Sequence, residues 1–203
     1  IAAINYHTIE DCYADLEIEV STDNTEIYAG GIAGFTDVII FSNTEWIAPM
    51  EASSGAEGNI TFDSVSGKIY AGGIVGRTYA LYVSSWGTLV PADDNYIKNC
   101  FSTILIMSGS AAANLRIGGM VGAFYTNKTI EPTTQNSDIE AVLKSFFQGT
   151  NAFYAESNTS ITGEVSGVFA NGSFTTTAPF SVTAVVRFTT IEELKESGVY
   201  FKP

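Results

Sequence analysis

The 203-residue chain has a single histidine, His7, only two cysteines and five prolines, and nine Lys+Arg against 22 Asp+Glu. One imidazole cannot build a two-histidine zinc site or an HExxH helix, which excludes a zinc peptidase. A Ser–His–Asp triad would have to use His7, and no GxSxG elbow or other serine context offers it a nucleophile. Neither a GxxxxGK[ST] loop nor a GxGxxG following a strand occurs, so phosphate-cradling chemistry is absent. A formal net charge of −13 opposes phosphate backbones and anionic headgroups, so neither nucleic acid nor a membrane surface is an expected partner. No run of about 18 apolar residues is present to insert into a bilayer. Only 15% of residues are charged and 45% are hydrophobic, too apolar a mixture for a disordered chain. The chain opens on Ile1 with no n-region or h-region, the pattern expected of a processed piece whose targeting segment has been removed.

What the chain does contain is glycine, aromatic residues and abundant Thr, Ser and Asn, a β-rich composition. It also contains a repeat. Tyr28-Ala-Gly-Gly-Ile-Ala-Gly34, Tyr70-Ala-Gly-Gly-Ile-Val-Gly76 and Arg116-Ile-Gly-Gly-Met-Val-Gly122 are one seven-residue figure written three times. Spacings of 42 and 46 residues between them fall in the range of stacked arrays, and a weaker copy, Val165-Ser-Gly-Val-Phe-Ala170, follows. Eighteen residues before the first glycine pair lies Cys12, in Ile9-Glu-Asp-Cys-Tyr13, and eighteen before the third lies Cys100, in Ile97-Lys-Asn-Cys-Phe101. Glu51-Ala-Ser-Ser-Gly55 is the degenerate second version, and Leu143-Lys-Ser-Phe-Phe147 is aligned as the fourth. Between the two figures Leu16, Ile18 and Val20 alternate with Glu17 and Glu19, matched by Ile60 and Phe62 and by Ile104 and Ile106, the period of half-buried strands.

The constant units therefore run over 9–34, 51–76, 97–122 and 143–170 of one domain spanning 1–203, and the stretches 35–50, 77–96 and 123–142 are insertions expected as loops at one corner. A unit of about 26 residues cannot bury its apolar face alone and must stack on its neighbours. Gly30, Gly31, Gly34, Gly72, Gly73, Gly76, Gly118, Gly119 and Gly122 are read as structural, serving a corner that needs either positive φ or a backbone with no Cβ against the next coil.

These glycine figures, with the Ile-x-Asn-Cys-Phe/Tyr strand, resemble the GLUG motif over 9–170. GLUG repeats occur in large bacterial cell-surface proteins, among them adhesin-like proteins of gut Bacteroidetes and the non-catalytic parts of immunoglobulin A1 proteases. The resemblance implies a secreted or surface-displayed β-helix-like stalk or binding domain. The second copy, which lacks the Cys strand, and the fourth, with Ser166 and Ala170, depart from the motif.

Phe180 to Phe188 reads as a strand, and Thr190-Ile-Glu-Glu193 is a capping box opening a short helix that ends near Gly198, an atypical element suited to cover the last coil. Ser137-Asp-Ile-Glu140 is a second capping box that competes with the strand expected over 143–147. Because Cys12 and Cys100 occupy equivalent positions two rungs apart, about 9.6 Å at ~4.8 Å per rung, they lie beyond the reach of a disulfide and are expected as buried free thiols. Trp46 and Trp86 fall in insertions, with Tyr79, Tyr82 and Tyr125 on the same side, and are the candidate ligand-contact residues; the alternative is that they fold back over the coil edge. Asp93-Asp94-Asn95 lacks a calcium-loop pattern and reads as a solvated turn.

The sequence thus predicts an all-β protein, a right-handed parallel β-helix-like solenoid of about four irregular coils with a C-terminal helical cap over 171–203, with a β-sandwich as the alternative. No catalytic, cofactor or metal residues are assigned. The expected function is non-enzymatic, adhesion or spacing at a bacterial surface, with a host glycan or extracellular protein held by the insertions. The alternatives are a polysaccharide-acting β-helix enzyme and an accessory domain of a larger immunoglobulin A1 protease-like protein.

Overall fold

Equivalent residues of successive repeats lie side by side in parallel register. The structure, a computed structural model, describes residues 2–22, 26–36, 40–41, 54–65, 68–83, 89–91, 96–108, 115–126, 141, 145–149, 151–154, 167–168, 175–176, 185–188 and 190–196, and these are mostly strand. After β1 (Ala2–Asn5), the first copy supplies β2 (Ile9–Glu10), β3 (Tyr13–Thr22), β4 (Glu26–Gly30) and β5 (Ala33–Thr36). The second supplies β6 (Ile40–Phe41), β7 (Ser54–Val65), β8 (Lys68–Gly72) and β9 (Val75–Val83), followed by β10 (Leu89–Pro91). The third supplies β11 (Ile97–Lys98), β12 (Cys100–Ser102), β13 (Leu105–Ser108), β14 (Leu115–Gly118) and β15 (Val121–Thr126). The remainder contains β16 (Phe147–Gln148), β17 (Asn151–Tyr154), β18 (Gly167–Val168), β19 (Thr175–Thr176), β20 (Val185–Phe188) and the helix α1 (Ile191–Glu196).

Four sheets collect like strands: β2-β6-β11-β16, β3-β7-β12-β17-β20 with β13 also on β7, β4-β8-β14, and β1-β5-β9-β15. None closes on itself. Tyr28 pairs with Tyr70 and Tyr70 with Arg116, Gly30 with Gly72 and Gly72 with Gly118. Ile18 pairs with Ile60 and Ile60 with Ile106. Among the described residues antiparallel pairing, which a β-sandwich would require throughout, is confined to β9–β10 and β18–β19.

The alternation in the sequence explains the layering. Ile60, Phe62 and Ile106 face a common interior with Ile69, Ile74 and Met120, each worth about 1.5–3 kcal/mol of apolar burial, while Glu17 and Glu19 face solvent. At each glycine corner one carbonyl receives two successive N–H groups of the copy before it. The Ile74 carbonyl accepts from Ile32 N at 2.9 Å and Ala33 N at 3.1 Å, and the Met120 carbonyl accepts from Ile74 N and Val75 N, both at 2.9 Å. The glycine pairs do not adopt positive φ; the missing Cβ is what the corner uses, since a Cβ on Gly73 would stand 2.2 Å from the Gly119 carbonyl oxygen.

A different corner carries the left-handed residues. Asp11 (φ 49°), Asn99 (φ 53°) and Gly149 (φ 64°) occupy one position after β2, β11 and β16, where Asp, Asn and Gly tolerate that backbone.

Several sequence expectations are corrected. The partner of Ile9 in the second copy is Ile40 and not Glu51, so the extra residues of that copy enter between β6 and β7. In the fourth copy the partner of Ile97 is Phe147 and not Leu143; Ser145 and Phe146 are helical, because Phe146 and Phe147 both bury edge-to-face against Phe124. The capping box at Ser137 lies outside the described residues. The weak fourth glycine figure pairs β18 with β19 rather than with Gly118, and the strand expected over 180–188 is described from Val185. Gly55 is a fitted residue rather than decay: a Cβ there would meet the Phe101 ring at 2.2 Å.

The capping box at Thr190 forms as read, with Glu193 N donating to Thr190 Oγ1 at 3.2 Å. Leu194 of α1 is fully buried with Phe101 and Ala152, covering the outer face of the β17–β20 edge. Cys12 and Cys100 are free thiols, but only Cys100 is buried; Cys12 sits on the outermost rung and is half-buried. Burial pushes the Cys100 thiol up from its ordinary range. Alkylation of the native protein with iodoacetamide at pH 8 is therefore expected to modify Cys12 alone, with Cys100 reacting only after denaturation. Equal native rates for both would contradict the burial.

Candidate functional site

The insertion-side aromatics do not sit as a set of loop residues. Trp46 and Trp86 lie outside the described residues, as does Asp93-Asp94-Asn95. Tyr79 and Tyr82 belong to β9 and Tyr125 to β15, which corrects their placement in loops: the stretches that begin at 77 and 123 continue the strands before leaving them. The fold nevertheless gathers the three tyrosines on adjacent strands. Val90 pairs with Tyr82 on one side of β9, and on the other the register slips between Phe124–Thr78 and Thr126–Leu81, so Tyr125 lies opposite a β-bulge containing Tyr79.

A second aromatic group was not singled out by the sequence. In-register stacking places the Tyr28 and Tyr70 rings 5.6 Å apart at 19°, and the Arg77 guanidinium lies 5.1 Å and 5.6 Å from their centroids. Phe35 packs at 6.4 Å on Tyr28, and Tyr6 packs edge-on against Phe35, also at 6.4 Å. Arg77 Nη1 donates to the Tyr28 hydroxyl, which in turn donates to Glu26 Oε2. Glu26 also lies 3.5 Å from Arg77 Nη1 and 4.0 Å from Lys68 Nζ. Burial, then the hydrogen bond to Glu26, hold the Tyr28 phenol above its ordinary range. The signal in the sequence was the first position of the glycine figure, Tyr in two copies and Arg in the third: in a parallel in-register stack, identical offsets become ring on ring.

This group brings two phenol rings, a guanidinium and a carboxylate together, with the Tyr28 hydroxyl between Arg77 and Glu26. Tyr6 is 61% exposed and Ile4 59%, so its outer end presents apolar surface to solvent. Such a surface can stack on the apolar face of a sugar ring or on a partner's side chain. Along β3, Asp15 stands beside Glu57 of the next rung, while Glu17 and Glu19 are continued by Asn59 and Thr61. Among the described residues no three His, Cys, Asp or Glu side chains converge as a metal site would require, and no helix is long and apolar enough to cross a membrane. Comparison with family models, with curated proteins and with solved structures finds no match to this chain.

Proposed function

We propose that the protein is a non-enzymatic adhesion or spacer domain of a bacterial surface or secreted protein, built as a right-handed parallel β-helix-like solenoid of GLUG-type repeats. The observation that supports this reading is residue-on-equivalent-residue pairing: three copies of the glycine figure lie in parallel ladders over a buried interior. Such a stack is a rigid rod whose length follows copy number, suited to hold a contact surface away from an anchor. The contact surface is assigned to the side of β9 and β15, where Tyr79, Tyr82 and Tyr125 share neighbouring strands and where Trp86 falls between β9 and β10, with Trp46 contributed from the next corner, between β6 and β7. The ligand is a host glycan or an extracellular protein.

The test is binding of the purified chain to a panel of host glycans, mucins and matrix proteins, with released sugars assayed in the same wells. Saturable binding that falls about tenfold or more in the Trp46→Ala/Trp86→Ala double variant is expected, since aromatic anchors dominate contact energies. Sugar release would move the protein to the polysaccharide-acting class. Binding unchanged in that variant but lost in Tyr6→Ala would shift the contact surface to the Tyr28–Arg77 group.

A further inference from the structure

The end of the stack opposite α1 is built differently from the interior. Among the described residues β3 pairs on one side only, with β7, and β4 on one side only, with β8. The strand edges are long, ten residues in β3 and five in β4. Long, regular, unpaired edges template further strands, and soluble folds ordinarily blunt them. Beneath these edges opens a cavity of ≈ 330 Å³ lined by Leu16, Ile18, Val20, Ile27 and Ala29 together with Ala3 and Gly34. On the next rung down the counterparts of that lining, Ile60, Phe62, Ile69 and Ala71, are fully buried by the rungs on either side.

The register of β1 shows what shape of occupant fits. Ala2 pairs with Ala33 and Ile4 with Phe35, so β1 continues the β5-β9-β15 ladder one rung beyond β3 and β4. Among the described residues β1 fills the ladder above β5, while no strand lies above β3 or β4. From these observations we infer that the β3–β4 edge is a docking surface for one further coil of the same repeat figure, lying parallel on β3 and β4 with its apolar residues in the cavity and its glycine pair leading into β1. This inference rests on the solenoid reading. Edge hydrogen bonds would supply the alignment, and alternate apolar side chains would supply the fit, as in strand addition generally.

The test grafts such a coil onto the whole chain. Ala2 stands opposite Ala33, which the figure Gly30-Gly31-Ile32 precedes, so a glycine pair two and three residues before Ala2 continues the figure. Residues 54–73 of this chain, ending in Gly72-Gly73, are therefore joined directly before Ile1. Amide hydrogen exchange is read in β3 and β4 for the extended and the unextended proteins. Exchange slowed about 100-fold or more in both strands, with loss of that slowing when the extended chain carries Ile18→Lys, is the result expected. Unchanged exchange in β3 and β4, with the interior strands β7, β8 and β14 protected, would overturn the docking inference alone. Interior strands without protection in the unextended protein would overturn the solenoid reading itself. A concentration-dependent dimer of the unextended protein that protects β3 and β4 would assign the edge to a second copy and overturn the inference; sedimentation of the same samples reads this.

Discussion

Gly73→Ala is expected to cost more than about 4 kcal/mol, enough to unfold a domain of ordinary stability. The backbone there is not left-handed, so the cost is one of space. A Cβ would lie 2.2 Å from the Gly119 carbonyl oxygen and 2.2 Å from Ser102 Oγ. The first atom belongs to the next copy's backbone, and the second is fixed by the Ile104 N–H it accepts at 3.2 Å. The first cannot withdraw without straining the corner bonds from Ile74 N and Val75 N to the Met120 carbonyl, and the second cannot without giving up its bond from Ile104 N. Gly34→Ala is expected to cost less than this, because its Cβ would meet the Ala3 and Tyr28 carbonyl oxygens at 2.8 Å, a backbone clash that is shallower than the one at Gly73. Urea denaturation of the two variants beside the parent checks this. A Gly73→Ala loss within about 1 kcal/mol of zero would mean that the corners are not packed backbone on backbone.

The second large effect is expected at Asn151. This side chain is fully buried and takes the position held by Cys100 on the rung before. Its Oδ1 accepts from Cys100 N at 2.9 Å, and its Nδ2 donates to the Ile97 carbonyl at 3.3 Å and the Gln148 carbonyl at 3.1 Å. One amide therefore ties the third copy to the fourth where β11 turns into β12. Asn151→Ala removes the partner of a buried N–H and of two carbonyls, at about 1–3 kcal/mol for each group left unsatisfied, or roughly 3–9 kcal/mol together. The same variant should speed exchange of the Cys100 amide, read by hydrogen exchange with site resolution. Loss of less than about 1 kcal/mol with the amide still protected would show that the rung does not depend on this residue.

Asn151 also shows why part of the architecture was hidden. In the sequence the cysteine of Ile-x-x-Cys marks the unit, so a copy with Asn at that place carries no such mark, and the stretch that resembles the figure begins instead at Leu143. What identifies the rung is the left-handed corner, and Asp11, Asn99 and Gly149 share no side chain that a search for similarity would match. Ile40 is hidden for a related reason: the extra residues of the second copy enter inside the unit, between β6 and β7, rather than between units. A gap in the wrong place shifts every later partner.

The Tyr28–Tyr70 stack is an intermediate case. Its offsets were visible, but the arrival of Phe35, Tyr6 and Arg77 beside it depends on how closely the glycine corner brings β4 and β5 together. Sequence alone determined the β class, the repeated glycine corner, the inward set led by Ile18, Ile60 and Ile106, that Cys12 and Cys100 form no disulfide, and the capped terminal helix. All of these follow from local periodicity or from identical residues recurring at one spacing. The tertiary structure alone decided which residue faces which across a corner, where β9 and β15 carry their tyrosines, and that Cys12 lies at a half-open end while Cys100 lies within. Those outcomes depend on neighbours 30 to 50 residues away along the chain, whose positions follow from packing and not from any local pattern.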